Sequence, residues 1–264
     1  MNFNNKAKSL VGFIFLICFL SGCAKNDNEI QRFGQVALIK PADIKHFEGL
    51  PGIISTELME ELNKANIQNF SLYLKDLDSS KLSVFRYFEY TGGDFNSEMN
   101  RLRNNPVILK WKSSIENTPV VTILPCSESK LWDEMEEVFY FKGSYDNSDA
   151  VSVQSYGTVI GLRPKYIDSY SYLHKYTWPE VLNAIERSNI RNYSIYHHTI
   201  GESYYLFGHY EYTGNNFSED MAMIDNDPAT IAWLKFTDEI CQIPLPTRAE
   251  GEWWAAMKEL FLAK

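Results

Sequence analysis

The sequence predicts an α+β fold: two ferredoxin-like domains of βαββαβ order, paired with each other as a pseudo-dimer inside one chain. Two observations predict it. The two halves of the chain repeat each other collinearly, and each half runs through strand-type and helix-type segments in the same order. The 264 residues suffice for two domains of ordinary size, and 45% hydrophobic with 22% charged residues describe a folded chain.

Ile39-Lys40-Pro41 matches Leu162-Arg163-Pro164, and Asn66-Ile67-Gln68-Asn69-Phe70-Ser71-Leu72-Tyr73 matches Asn189-Ile190-Arg191-Asn192-Tyr193-Ser194-Ile195-Tyr196, both at an offset of 123. Phe88-Glu89-Tyr90-Thr91-Gly92 matches Tyr210-Glu211-Tyr212-Thr213-Gly214 at 122. Asn105-Pro106 matches Asp227-Pro228, and Trp111 matches Trp233. Trp132, Met135 and Phe139 match Trp254, Met257 and Phe261. The organisation read from this is a leader at 1–22, a tether at 23–29, a first copy at 30–143, a polar linker at 144–150 and a second copy at 151–264.

In each copy a first strand (35–39, 158–162) leads to a proline that opens a long helix ending near Asn66 or Asn189. Two strands follow, 69–74 and 83–90 in the first copy and 192–197 and 204–212 in the second, closed by Thr-Gly. Shorter helices carry Met99 and Trp111, or Met221 and Trp233. A last strand ends each copy, near 138–141 and 259–262.

The leader has Lys6 and Lys8, an apolar run from Leu10 to Leu20, and then Leu20-Ser21-Gly22-Cys23. The run is too short to span a bilayer, which needs about 20 apolar residues, and it reads as a secretory signal. Its end resembles the lipobox of bacterial lipoproteins. That resemblance implies a lipid-bearing Cys23 and an exported protein held at the periplasmic side, the outer membrane or the cell surface, touching membrane through the lipid alone. Loss of 1–22 takes the net charge from −9 to −11. A chain this acidic lacks the clustered Lys and Arg that nucleic acid requires. Cys126 and Cys241 remain as thiols. No Cys or His spacing suggests a metal, and no cofactor is expected.

Chemistry concentrates in the second copy. Tyr170, His174 and Trp178 stand at i, i+4 and i+8 on one helix face, and Pro179 is expected to bend that helix and open space beside His174. Alternation puts Tyr193 and Ile195 on one face of the next strand, within reach of His174 if that face lies under the helix.

These residues, with Trp178-Pro179-Glu180, Phe207-Gly208-His209-Tyr210-Glu211-Tyr212, Asp227-Pro228-Ala229-Thr230 and Pro244-Leu245-Pro246-Thr247-Arg248-Ala249-Glu250-Gly251-Glu252-Trp253-Trp254, resemble the L-rhamnose mutarotase family. Its members are small dimeric α/β-barrel proteins. The resemblance covers nearly all of the second copy and, more weakly, the first. It implies that His174 is the general acid, that Tyr170, Tyr193 and Trp233 bind the sugar, and that L-rhamnose or a related deoxyhexose changes between α and β anomers by ring opening. The chain departs from the family's Trp-Trp pair at Leu234. In the first copy His174, Tyr170, Trp178 and Tyr193 correspond to Pro51, Phe47, Ser55 and Phe70, so catalysis is expected in the second copy alone. The other readings are a non-catalytic sugar-binding or scaffold lipoprotein and the monooxygenases that share the fold. A homo-oligomer remains open beside the internal pairing.

Overall fold

The computed structural model describes residues 30–40, 44–45, 55–114, 132–144 and 153–263. The leader, Cys23, Phe47, Pro51, Cys126 and most of the linker lie outside them. The first copy contributes strand β1 (Gln31–Ile39), helix α1 (Thr56–Lys64), strands β2 (Ile67–Asp76) and β3 (Leu82–Tyr90), helices α2 (Phe95–Arg103) and α3 (Pro106–Ser114), and strands β4 (Asp133–Glu134) and β5 (Glu136–Phe141). The second contributes β6 (Gln154–Leu162), a 3-10 turn (Pro164–Tyr166), α4 (Ile167–Lys175), α5 (Pro179–Arg187), β7 (Ile190–Ile200), β8 (Ser203–Tyr212), α6 (Phe217–Asp225), α7 (Pro228–Cys241), β9 (Gln242–Ile243), β10 (Ala255–Ala256) and β11 (Lys258–Ala263).

The repeated motifs have local causes. Asn66, Asn69, Asn189 and Asn192 all adopt positive φ, from 46° to 58°. Asparagine tolerates this left-handed region better than other side-chain-bearing residues. The first asparagine of each pair follows a helix end, and the second sits in a bulge where the pairing of β2 with β3, or of β7 with β8, shifts register. Asp227 caps α7, its Oδ1 accepting from the amides of Ala229 and Thr230 at 2.9 and 3.0 Å. Asn105 does the same for α3 through Val107.

Two differences from the sequence reading stand out. The expected single bent helix of the second copy is two helices, α4 and α5. The chain leaves α4 at Tyr176, and Trp178 is the N-cap of α5 with Pro179 at its first position. Proline there gives up no intrahelical hydrogen bond, so a fresh start is favoured over a kink. The last strands, moreover, are exchanged. β11 pairs antiparallel with β2, in the order β11-β2-β3-β1-β4, and β5 pairs with β7, in the order β10-β6-β8-β7-β5. Each copy thus closes the other's sheet.

The sheets pack face to face, with helices on their outer faces. Between them lie Val36, Tyr73, Phe85, Tyr87, Val159, Tyr196 and Phe207, drawn from both copies. Equivalent residues meet across the pseudo-twofold axis: Phe85 and Phe207 at 5.6 Å between ring centroids, and Tyr87 stacked on His209 at 3.8 Å. Beside this axis Asn192 donates to Glu89 at 2.7 Å and to Glu211 at 3.3 Å, and Tyr87 donates to Glu89 at 2.8 Å. Buried carboxylates satisfied in this way resist removal of a partner. One separate core underlies each helix layer, and each holds residues of the exchanged strand, Leu260 and Ala263 in one and Phe139 in the other.

Candidate active site

The second copy holds a cavity of about 140 Å³ between β7, α4 and α7. That volume accommodates several water molecules or a small ligand. Tyr170, His174, Tyr193 and Trp233 all line it, as do Phe139, Thr177, Leu234, Asp238, Gln242 and Trp254. The break between α4 and α5 leaves Thr177 at the wall. Trp178 stands outside, exposed, edge-on to Trp233 and Phe236.

His174 is held by its own helix. Its Nδ1 lies 3.0 Å from the carbonyl oxygen of Tyr170, and a carbonyl only accepts, so Nδ1 carries the proton. This tautomer leaves Nε2 with a lone pair. The imidazole stacks on Tyr170 at 4.0 Å and meets Phe139 and Trp233 edge-on at 5.6 and 5.5 Å. Burial pushes its pKa down to about 4, opposed by the Tyr170 carbonyl. The ring is therefore neutral near pH 7.

Tyr170 is fully buried, and its hydroxyl makes no well-formed hydrogen bond among the described residues, with the Gln242 side chain beside it. A buried orphan hydroxyl is costly unless a ligand or water satisfies it. Burial holds the phenols of Tyr170 and Tyr193 well above the usual range, so they donate hydrogen bonds and do not ionise. The bulge that turns Asn192 between the sheets turns Tyr193 the other way, toward the helices. Phe139, on the strand supplied by the first copy, touches both His174 and Tyr193, the latter at 5.4 Å.

Sequence reading missed Asp238 and Trp254 as wall residues. Burial raises the Asp238 carboxyl to about 7. Its signal was the i, i+4, i+8 line Thr230, Leu234, Asp238 on α7, which places a carboxylate on a helix face that lines the cavity. His197 and His209 lie in β7 and β8; His209 is sealed between the sheets, where Tyr73 Oη lies 3.0 Å from its Nδ1. Arg248 donates to the carbonyl of Leu245 at 2.9 Å, a local turn contact. Cys241 is a free, buried thiol.

In the first copy Phe70 is a core residue in place of Tyr193. Arg86 stands where the second copy has Gly208. It is buried, bonded to Gln35, with its guanidinium 4.2 Å from the ring of Trp132, the counterpart of Trp254.

Two face-to-face antiparallel sheets that exchange their last strands, with helices outside, define a dimeric α/β barrel folded within one chain. The chain belongs to the L-rhamnose mutarotase family, whose model matches it twice, over residues 32–141 and 155–263. No curated protein matches it. Solved structures similar to it include a monooxygenase-like protein of Fusobacterium nucleatum subsp. nucleatum (12% identity, 89% of this chain and 94% of that one, TM-score 0.45). Others are a monooxygenase-like protein of Lactobacillus acidophilus NCFM (8%, 88% and 96%, 0.47) and an anthrone oxidase-like protein (10%, 90% and 94%, 0.42).

Proposed function

We propose that the second copy interconverts the α and β anomers of L-rhamnose or a related deoxyhexose, and that the first copy is its structural partner. The observation that carries this reading is His174, pinned by Tyr170 so that Nε2 is the free nitrogen of a ring in the cavity wall. Ring opening needs a proton removed from the anomeric hydroxyl and a proton supplied to the ring oxygen, and a positioned imidazole handles such transfers. The Tyr170 and Tyr193 hydroxyls suit sugar hydroxyls, and Trp233 with Trp254 suits the apolar face and 6-methyl of a deoxyhexose. The lipobox-like leader goes with an exported lipoprotein acting on sugar outside the cytoplasm.

The test is saturation-transfer NMR of L-rhamnose with the mature protein. Exchange between anomers is expected to accelerate, His174→Ala to abolish the acceleration, and Pro51→Ala to leave it intact. A second reading, a sugar-binding protein without turnover, is favoured by Leu234 in the cavity wall where the family has a second Trp. Binding of L-rhamnose, L-fucose or related sugars without faster exchange would establish it instead.

A further inference from the structure

We propose that Gln242 is a sugar-binding residue of the cavity, donating from its amide nitrogen to a sugar hydroxyl oxygen beside the Tyr170 phenol, and that Trp253 is the positioning residue that aims it. This rests on the sugar reading of the cavity and names what one wall recognises, a hydroxyl that accepts hydrogen bonds.

Gln242 is a polar side chain in a buried place: it lines the cavity and is 1% exposed. Its main chain is held from two directions. It is the C-cap of α7, its backbone N–H donating to the Asp238 carbonyl, and it opens β9, paired with Leu162 of β6. Arg163 secures the same helix end, its backbone amide donating to the Cys241 carbonyl at 2.7 Å and its guanidinium to the carbonyls of Glu239 and Ile240.

The indole of Trp253 decides which way the amide faces. Trp253 Nε1 donates to Gln242 Oε1 at 2.7 Å. An indole N–H only donates, so the amide oxygen is the end it holds and the NH2 group is the other. The segment 244–254 makes the contact possible because it leaves β6 beside Leu162 and returns to it at Val159, where Ala255 of β10 pairs. Of the two neighbouring tryptophans, Trp254 lines the cavity, whereas Trp253 is 39% exposed.

The Gln242 side chain lies beside the Tyr170 hydroxyl, itself buried and without a well-formed hydrogen bond among the described residues. Two amide N–H groups and one phenolic O–H therefore meet at this end of the cavity. One amide N–H on the phenol oxygen leaves the phenol proton for an acceptor. A sugar hydroxyl oxygen that takes this proton and the second amide proton satisfies the set. Buried donors of this kind reject a ligand without the matching oxygen, because they are then left unpaired.

The repeat supplies a comparison. At the offset of 122, Gln242 and Trp253 correspond to Val120 and Leu131, which lie outside the described residues. The amide and the indole are lost together, in the copy that also lacks counterparts of His174 and of both tyrosine hydroxyls.

The experiment is NMR titration of the mature chain with L-rhamnose, or L-fucose if the wild type prefers it, and with analogues lacking the hydroxyl at C1, C2, C3 or C4 in turn. Urea unfolding of each variant runs alongside. The wild type is expected to bind one analogue at least about 10-fold more weakly than the parent sugar. Gln242→Met keeps the length of the side chain and removes the amide. It is expected to bind the parent sugar about 10-fold more weakly and to narrow the discrimination against that analogue to about 3-fold or less. Trp253→Phe keeps a ring and removes the indole N–H. It is expected to weaken binding several-fold and narrow the same discrimination, but to have no effect in the Gln242→Met background, since it acts through the amide. It carries the test if Gln242→Met does not fold. The assignment is overturned, with the sugar reading left standing, by a wild type indifferent to all four analogues, by Gln242→Met within about 2-fold of wild-type affinity, by unchanged discrimination in either variant, or by additive effects of the two substitutions. A lower urea midpoint with unaltered affinity does the same and makes the pair a structural contact. No binding of either sugar by the wild type overturns both.

Discussion

The ring of Tyr196 occupies the space in which a side chain on Gly34 would lie: a β-carbon there would sit 2.4 Å from Tyr196 Cγ. The same contact recurs with the copies exchanged, the glycine 123 residues later and the tyrosine 123 earlier, Tyr73 on Gly157 at 2.4 Å. Both tyrosines are fully buried, and each crosses from one copy to the first strand of the other. These reciprocal contacts hold the sheets at their separation, as a two-fold interface would between separate subunits.

Gly34→Ala should therefore destabilise the whole chain. The added methyl meets ring carbons inside a packed layer, where overpacking costs about 1–3 kcal/mol. Urea unfolding would show it as a lower midpoint. Gly34→Ala combined with Tyr196→Leu should recover part of the loss, because the smaller side chain vacates the ring positions. An unchanged midpoint for the single variant would mean that the sheets can separate freely at this point.

Strand exchange predicts that a change in the first copy weakens the second copy's site. Phe139→Ala removes the ring that packs against His174 and Tyr193, at a stability cost of about 3–5 kcal/mol typical of buried Phe. Phe139→Leu keeps more of the volume and is the sharper probe. It should leave a folded chain whose affinity for L-rhamnose falls several-fold by NMR titration. Affinity equal to the wild type would show that the site is complete without the exchanged strand.

Stability should fall as the solution is acidified from about pH 6.5, before most carboxylates protonate. His209 is sealed between the sheets against Tyr73 and Tyr87, and burial pushes its pKa down to about 3. The unfolded chain, with a histidine near 6.5, takes up a proton that the folded chain refuses. The His209 contribution is therefore intact above about 6.5 and lost progressively toward 3, amounting to about 3 kcal/mol by pH 4. His174, near 4, adds to the same slope. In urea unfolding across this range His209→Gln should be less stable than the wild type at pH 7 yet lose less on acidification. Parallel pH slopes for the two proteins would contradict this.

The duplication was legible because equivalent residues recur at a constant offset, and the cavity residues because helical and strand periodicities each point a side chain in a definite direction. Tyr170, His174 and Tyr193 could be placed together on those grounds. The strand exchange was not legible. Glu136–Phe141 and Lys258–Ala263 hold equivalent places in the repeat, and nothing in their sequences marks which copy's sheet each one joins. The split of α4 from α5 was masked because Pro179 fits a kinked helix and a new helix equally well. Asp238 was hidden in the mixed run Lys235-Phe236-Thr237-Asp238-Glu239, where a carboxylate reads as one more solvated helix residue.

Gly208 stands beside two residues of the cavity wall: a β-carbon there would lie 3.6 Å from Tyr193 and 3.7 Å from Trp254, ordinary contact distances. The first copy carries Arg86 at the equivalent place, paired with Gln35 and lying over Trp132. Gln35 in turn corresponds to Thr158, whose Oγ1 would be 2.6 Å from a Gly208 β-carbon. Gly208→Arg together with Thr158→Gln should thus rebuild the filled arrangement in the second copy. The double variant is expected to unfold within about 1 kcal/mol of the wild type, since cooperating neighbours compensate each other. It should lose L-rhamnose binding altogether in NMR titration. Retained binding would place the sugar elsewhere than between Tyr193 and Trp254, and would separate the loss of the first copy's site from the arrival of its arginine.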